Sequence, residues 1–229
     1  MSVSKSWAFT AMGGMQEILA VPYRLLHRSS TLSLDELALV ETLGIGAHAV
    51  ARSRASKDEA ALVVGAGPIG LGTALFARVA GCHTIVAEPD RLRREFAQQQ
   101  GFNTVDSTEN QSADIVFDAT GNAKVMAESL YRVAPGGKLV FVGLTSSPVT
   151  LDDGFFHKRE ITLLSSRNSA HQFPQIVRIL ESGDISVKEW ITHRLSISEV
   201  ADEFAELPLR PGLIKAIVSQ ENNANEENR

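Results

Sequence analysis

At 229 residues the chain suffices for one large domain, or one domain plus part of a second. A formal charge of -5, with no Lys/Arg block, argues against a nucleic-acid partner. The single cysteine, Cys82, excludes an intramolecular disulfide and every cysteine-based zinc pattern, and no long apolar run announces a membrane span, so a soluble, reducing, cytoplasmic setting is expected.

In chain order, Gly13 to Pro22 reads as a short strand, opened by Gly-Gly and ended by Pro. Ser33-Leu-Asp-Glu36 is a capping box that starts a long helix running to about Arg54. Leu37, Val40, Leu43 and Ala47 repeat there at helical spacing, and Gly44 and Gly46 are tolerated within it. From Ala61 the pattern alternates. "ALVV" is a strand, Pro68 to Ala80 a helix, "HTIVAE" a strand and Arg91 to Gln100 a charged helix. Strands follow at Ala113 to Ala119, Gly137 to Gly143 and Glu160 to Ser166, with a helix from about Lys124 to Val133. Strands apolar on both faces and alternating with helices predict an α/β fold, a doubly wound parallel sheet of Rossmann type. The polar tail, residues 221–229, is expected to be disordered.

Gly65, Gly67 and Gly70 form G-x-G-x-x-G between a strand and a helix. Gly65 permits a tight turn, Gly67 lets backbone amides approach a diphosphate, and Gly70 lets the helix pack close to the strand. Pro68 and Ile69 open that helix, whose N-terminus offers partial positive charge and free N–H donors. Glu88 ends the next strand, where a carboxylate accepts hydrogen bonds from an adenosine ribose. NAD is therefore favoured over NADP. A 2′-phosphate there would cost on the order of 4 kcal/mol per like-charge pair at moderate dielectric, partly offset by Arg91. Without a ribose, Glu88 would be a solvated acid paired with Arg91 or Arg94.

Other strand ends should share this rim: Ala119-Thr120-Gly121-Asn122, Val142-Gly143-Leu144 and Ser166-Arg167-Asn168. Thr120, Val142, Gly143, Leu144, Arg167 and Asn168 are candidates to line ribose and carboxamide. The alternative, that Gly121 and Gly143 simply turn the chain, stays open.

The segments "GGMQEILAVPYRLLH", "ALVETLGIGAHAV", "VVGAGPIGLG", "DIVFDATGN", "GGKLVFVGL", "FFHKREITLLSSRN", "ITHRLSISEVADEF" and "GLIKAIV" occur in this order. Together they resemble the zinc-dependent medium-chain dehydrogenases, nearest to the sugar-acid and polyol subgroup. The resemblance implies hydride transfer between NAD and a secondary alcohol or ketone. It also implies a GroES-like β-barrel catalytic domain, of which residues 1–32 and 191–220 would be remnants, around a linking helix and NAD domain at 33–190. Such proteins pair through the dinucleotide domain, so a homodimer or larger assembly is expected.

The family's catalytic zinc needs an early Cys, a G-H-E motif and sometimes a later acid. Here only Glu41 matches, as that acid, with Thr42 where Pro is common. One carboxylate cannot fix a tetrahedral zinc. The six histidines show no H-x-x-x-H or H-E-x-x-H spacing, and Cys82 reads as inert packing. The expectation is a dinucleotide cradle whose catalytic half is cut away. It would act on an alcohol or sugar acid only if that half is supplied, and otherwise serve as a non-catalytic NAD-binding module or a dimerising remnant.

Overall fold

Alternate residues of the first apolar strand face opposite ways. In β1 (Ala60–Val64), Ala61 and Val63 join one buried cluster, and Leu62 and Val64 join another across the sheet. A strand buried on both sides must be covered on both, which is why its sequence is continuously apolar. The computed structural model describes residues 18–219. Within them β1 joins β2 (His83–Ala87), β3 (Asn103–Val105), β4 (Ala113–Asp118), β5 (Val133–Phe141) and β6 (Thr162–Ser165) in one parallel sheet. The order is β3-β2-β1-β4-β5-β6, which reverses direction between β1 and β4. Ligands in such sheets lie beyond the strands' carboxyl ends at that reversal.

One face is covered by α1 (Leu34–Ser53), α2 (Pro68–Val79) and α6 (Phe173–Glu181), through Leu39, Leu43, Leu71, Leu75 and Ile176. α3 (Arg91–Gln99) adds Ala97 to the same cluster. The other face packs against Leu130, Ile161 and the flanks of α4 (Ala123–Glu128) and α5 (Asp153–Lys158). The capping box forms: Ser33 Oγ accepts from Glu36 N at 3.3 Å, and Ser33 N donates to Glu36 Oε2 at 2.9 Å. Gly46 has a packing purpose in mid-helix. A Cβ there would stand 2.4 Å from Thr73 N, so α1 and α2 meet backbone to backbone.

Three expectations need correction. The strand over Gly13 to Pro22 falls partly outside the described residues, and Ile18–Pro22 within them carry no strand. An extended segment becomes a strand only when another pairs its N–H and C=O groups. The helix over Lys124 to Val133 stops at Glu128 and continues as a 3₁₀ turn, Ser129–Arg132. β5 begins at Val133 instead of Gly137, with a register shift against β4. Past α6, β7 (Ile191–Ser196) and β8 (Lys215–Ser219) form a separate parallel pair, with α7 (Ile197–Glu203) beside them. The tail at 221–229 lies outside the described residues. Among the described residues no helix is long and apolar enough to cross a membrane.

Candidate functional site

A cleft of about 420 Å³ opens at the reversal point, walled by the ends of β1, β2 and β4 and the 106–108 loop. It brings together Gly65, Gly67, Glu88 and Thr120, and adds Arg93 and Asn122. Gly65 leaves β1 with φ 98°, a conformation that carries little penalty only for glycine. Gly70 sits against that turn so closely that a Cβ would come 1.8 Å from Gly65 O. Gly67 differs from both. A Cβ built on it meets no atom within 4 Å, so this side of the loop is open toward the cleft. Pro68 is the first residue of α2 and has no N–H to leave unpaired. The amides that follow, beginning with Ile69, belong to a helix start, where intrahelical partners are missing and the dipole favours an anion. The loop fits a diphosphate.

Glu88 is only 6% exposed, so it is not a solvated acid. Its Oε2 accepts from Ala66 N at 2.7 Å and its Oε1 from Asp90 N at 2.9 Å. The carboxylate thereby ties the end of β2 to the glycine loop, and each oxygen keeps a second lone-pair direction for a ribose hydroxyl. Neither expected arginine pairs with it. Arg91 is exposed and bridges to Glu95 at 2.7 Å, while Arg94 donates to the main-chain oxygens of Glu88 and Pro89. The cation lining the cleft is Arg93, two residues along the same helix turn.

Across the cleft, Asp118 ends β4 fully buried. Its Oδ1 accepts from Thr120 N at 3.0 Å and Thr120 Oγ1 at 2.7 Å, and its Oδ2 from Ser129 Oγ at 2.7 Å. Burial pushes its carboxyl above the ordinary range, while these hydrogen bonds oppose that rise. Its main-chain oxygen accepts from Val142 N and Gly143 N at 2.9 and 2.8 Å. The loops after β4 and β5 are thus tied to one residue. They also touch directly, since a Cβ on Gly143 would lie 2.3 Å from Gly121 N. The two glycines answer to close backbone approach. Sequence reasoning passed over Asp118, although an acid at the end of an otherwise apolar buried strand is itself a signal.

Val142, Gly143, Leu144, Arg167 and Asn168 stand on the same rim but outside this cleft. Val142 is buried, Leu144 is exposed, and Arg167 and Asn168 follow the edge strand β6 on the surface. Glu41 is exposed on α1, and its helix-mate His48 is half-buried, its pKa lowered first by burial and then by Arg52. Among the described residues, no three His, Cys, Asp or Glu side chains gather as a metal site requires. Cys82 is buried, its thiol pushed up by burial. Another cleft, of about 380 Å³, opens at the amino ends of β1, β2 and β3, the wrong end of such a sheet for a ligand.

Residues 68–182 match the family described as zinc-binding dehydrogenase. The chain belongs to that family. L-galactonate-5-dehydrogenase of Escherichia coli (strain K12) is 34% identical over 206 residues, covering 84% of this chain and 61% of that enzyme. A putative zinc-binding dehydrogenase of Sinorhizobium meliloti 1021 bound to NADP superposes with TM-score 0.84 at 24% identity, covering 91% of this chain and 66% of that one. A short chain alcohol dehydrogenase of Escherichia coli CFT073 complexed with NADH gives 0.82 at 24%, with the same coverage. At those identities the structural likeness shows a shared fold. This zinc-binding dehydrogenase chain spans about three fifths of the curated relatives it matches, 61%, 64% and 58% of three of them. Its described residues do not fit the zinc in the family's name, because Glu41 stands without companion ligands.

Proposed function

We propose that the chain binds NAD in the cleft between β1 and β4, and that this cofactor exchanges hydride with a secondary alcohol or ketone of a polyol or sugar acid. The observation that carries the cofactor reading is the open side of Gly67, at a helix start and one residue from the amide that Glu88 holds. The diphosphate lies against Gly67, Pro68, Ile69 and Gly70, and the adenosine ribose hydroxyls donate to Glu88. Thr120 walls the adenosine end. Val142, Gly143, Leu144, Arg167 and Asn168 serve the nicotinamide end, farther along the rim. When bound, NAD supplies the hydride acceptor. The protein's own groups hold and orient it.

Residues 33–190 form the dinucleotide domain on this reading, and 1–32 and 191–220 are parts of a barrel-type catalytic domain. The substrate class is drawn from relatives such as the L-galactonate enzyme. The unaccompanied Glu41 favours a second reading, a cytoplasmic dinucleotide-binding module without turnover. A calorimetric titration with NAD, run beside an assay of NADH absorbance with L-galactonate and sorbitol, separates the two. Binding with NADH formation supports the dehydrogenase, binding without it supports the module, and no heat of binding refutes both.

We also propose self-association through β6. Among the described residues it is the last strand in the sheet order and pairs with β5 alone; it exposes Thr162, Leu163 and Ser165, and the Ser165 carbonyl accepts from Arg52 Nε. An edge without a neighbouring strand invites a second one. Light scattering should give a dimer or larger, and a monomer at micromolar concentration would refute it.

A further inference from the structure

The geometry points to Asp118 as a positioning residue for the cofactor's adenosine half, acting through Thr120; this rests on the dinucleotide reading above. Thr120 lines the cleft, yet its hydroxyl is spoken for on both sides. It donates to Asp118 Oδ1 at 2.7 Å and accepts from Asn122 N at 3.2 Å. With the oxygen so held, the side chain has one orientation, and its methyl group rests against the glycine turn. A Cβ on Gly65 would stand 3.3 Å from Thr120 Cγ2. The part of the cleft wall beside the Gly65 turn is therefore an apolar methyl in a fixed place, suited to the flat face of a purine, although the residue that supplies it is polar.

Asp118 controls the neighbouring backbone too. Its Oδ1 holds Thr120 N, and its carbonyl holds both amides that open the next loop. The third donor, Ser129 Oγ, bonds the other oxygen, Oδ2, and stabilises the acid from a residue that does not line the cleft. An uncompensated carboxylate would be costly at full burial, and this arrangement supplies a donor to each of its oxygens. Asn can replace it. Its carbonyl oxygen accepts both Thr120 hydrogens, and its NH₂ donates to the Ser129 hydroxyl, which turns to accept.

The test is calorimetric titration of the full chain with NAD and with 5′-AMP, paired with thermal melting. Asp118→Ala should weaken both ligands at least tenfold by the same factor, because both carry the adenosine. Asp118→Asn should restore both to within about threefold of wild type. Ser129→Ala should lower the melting temperature and leave 5′-AMP affinity within twofold, since it removes only the structural bond. If Asp118→Ala does not fold, Thr120→Val, which keeps the shape and removes the hydroxyl link, should weaken 5′-AMP at least threefold. The inference is overturned by wild-type affinity in Asp118→Ala or Thr120→Val, by no rescue in Asp118→Asn, or by affinity that falls with stability in Ser129→Ala. Wild-type protein that binds neither ligand refutes the dinucleotide reading as well, and so marks that failure as distinct.

Discussion

Replacing Gly67 by alanine separates a residue needed for binding from one needed for folding. Gly67 has φ -70° and ψ 174°, which any L-residue adopts without strain, and its added methyl meets nothing within 4 Å. Losing glycine's freedom in the unfolded chain should stabilise by about 0.4–1 kcal/mol. Alanine is a poorer N-cap than glycine, which returns a similar amount. The net change in stability is thus within about 1 kcal/mol of zero. For the diphosphate the same methyl stands where amide-to-phosphate hydrogen bonds of roughly 2.9 Å must form. Losing two charge-assisted bonds, at about 1.5 kcal/mol or more each, implies at least a hundredfold weaker NAD. Denaturant unfolding and calorimetric titration of the same preparation give both numbers. Wild-type affinity for NAD in Gly67→Ala would refute the placement of the diphosphate. Gly70→Ala is the contrasting case and should damage the fold itself, because its methyl would overlap Gly65 O at 1.8 Å.

Glu88→Ala should cost both stability and affinity, since it orphans the amides of Ala66 and Asp90 and removes the ribose acceptor. A loss of about 1–3 kcal/mol on unfolding is expected for each amide left buried and dry, and NAD should weaken at least tenfold; unchanged affinity in titration would remove the ribose assignment. NADP should bind at least tenfold more weakly than NAD in a competition titration, because its 2′-phosphate must share the pocket with the Glu88 carboxylate. Arg93→Ala should widen that gap, and equal affinities for the two cofactors would show that Arg93 outweighs the acid. At the α1 N-terminus, Ser33→Ala should cost about 1 kcal/mol. The hydrogen bonds that the Ser33 N–H and hydroxyl donate hold Glu36 below its ordinary value of 4.5, so their stabilisation is complete above that pH and is lost as acidification passes the lower folded value, while the bond from Glu36 N to Ser33 Oγ persists. The stability difference between wild type and Ser33→Ala should therefore narrow in acid without vanishing, and a difference that stays constant with pH would contradict the linkage.

The parts of this fold most legible in sequence are those whose physics is local. Apolar runs on both sides of the glycine turn predicted β1, α2 and β2 nearly to the residue, and Ser33 with Glu36 marked the start of α1. Elements that depend on distant partners were harder to read. β3 is three residues long and opens on polar Asn103 and Thr104, so it becomes a strand only because β2 offers it an edge. The reverse holds at Ile18–Pro22, where an extended-looking run finds no partner among the described residues. In the site, spacing located Glu88 but not which arginine would turn toward the cleft. Arg91, Arg93 and Arg94 are close to equivalent in sequence, and the i,i+4 bridge from Arg91 to Glu95 takes the first away. Asp118 escaped notice because its partners Thr120 and Ser129 matter only once the chain has turned at Gly121.

The placement of the cofactor carries everything else, and crystals grown with NAD test it most directly. The account predicts diphosphate density against the backbone of Gly67 to Gly70, ribose hydroxyls within hydrogen-bonding distance of Glu88, and the purine beside Thr120. Density for the dinucleotide anywhere else, or an empty crevice at saturating NAD, would contradict it.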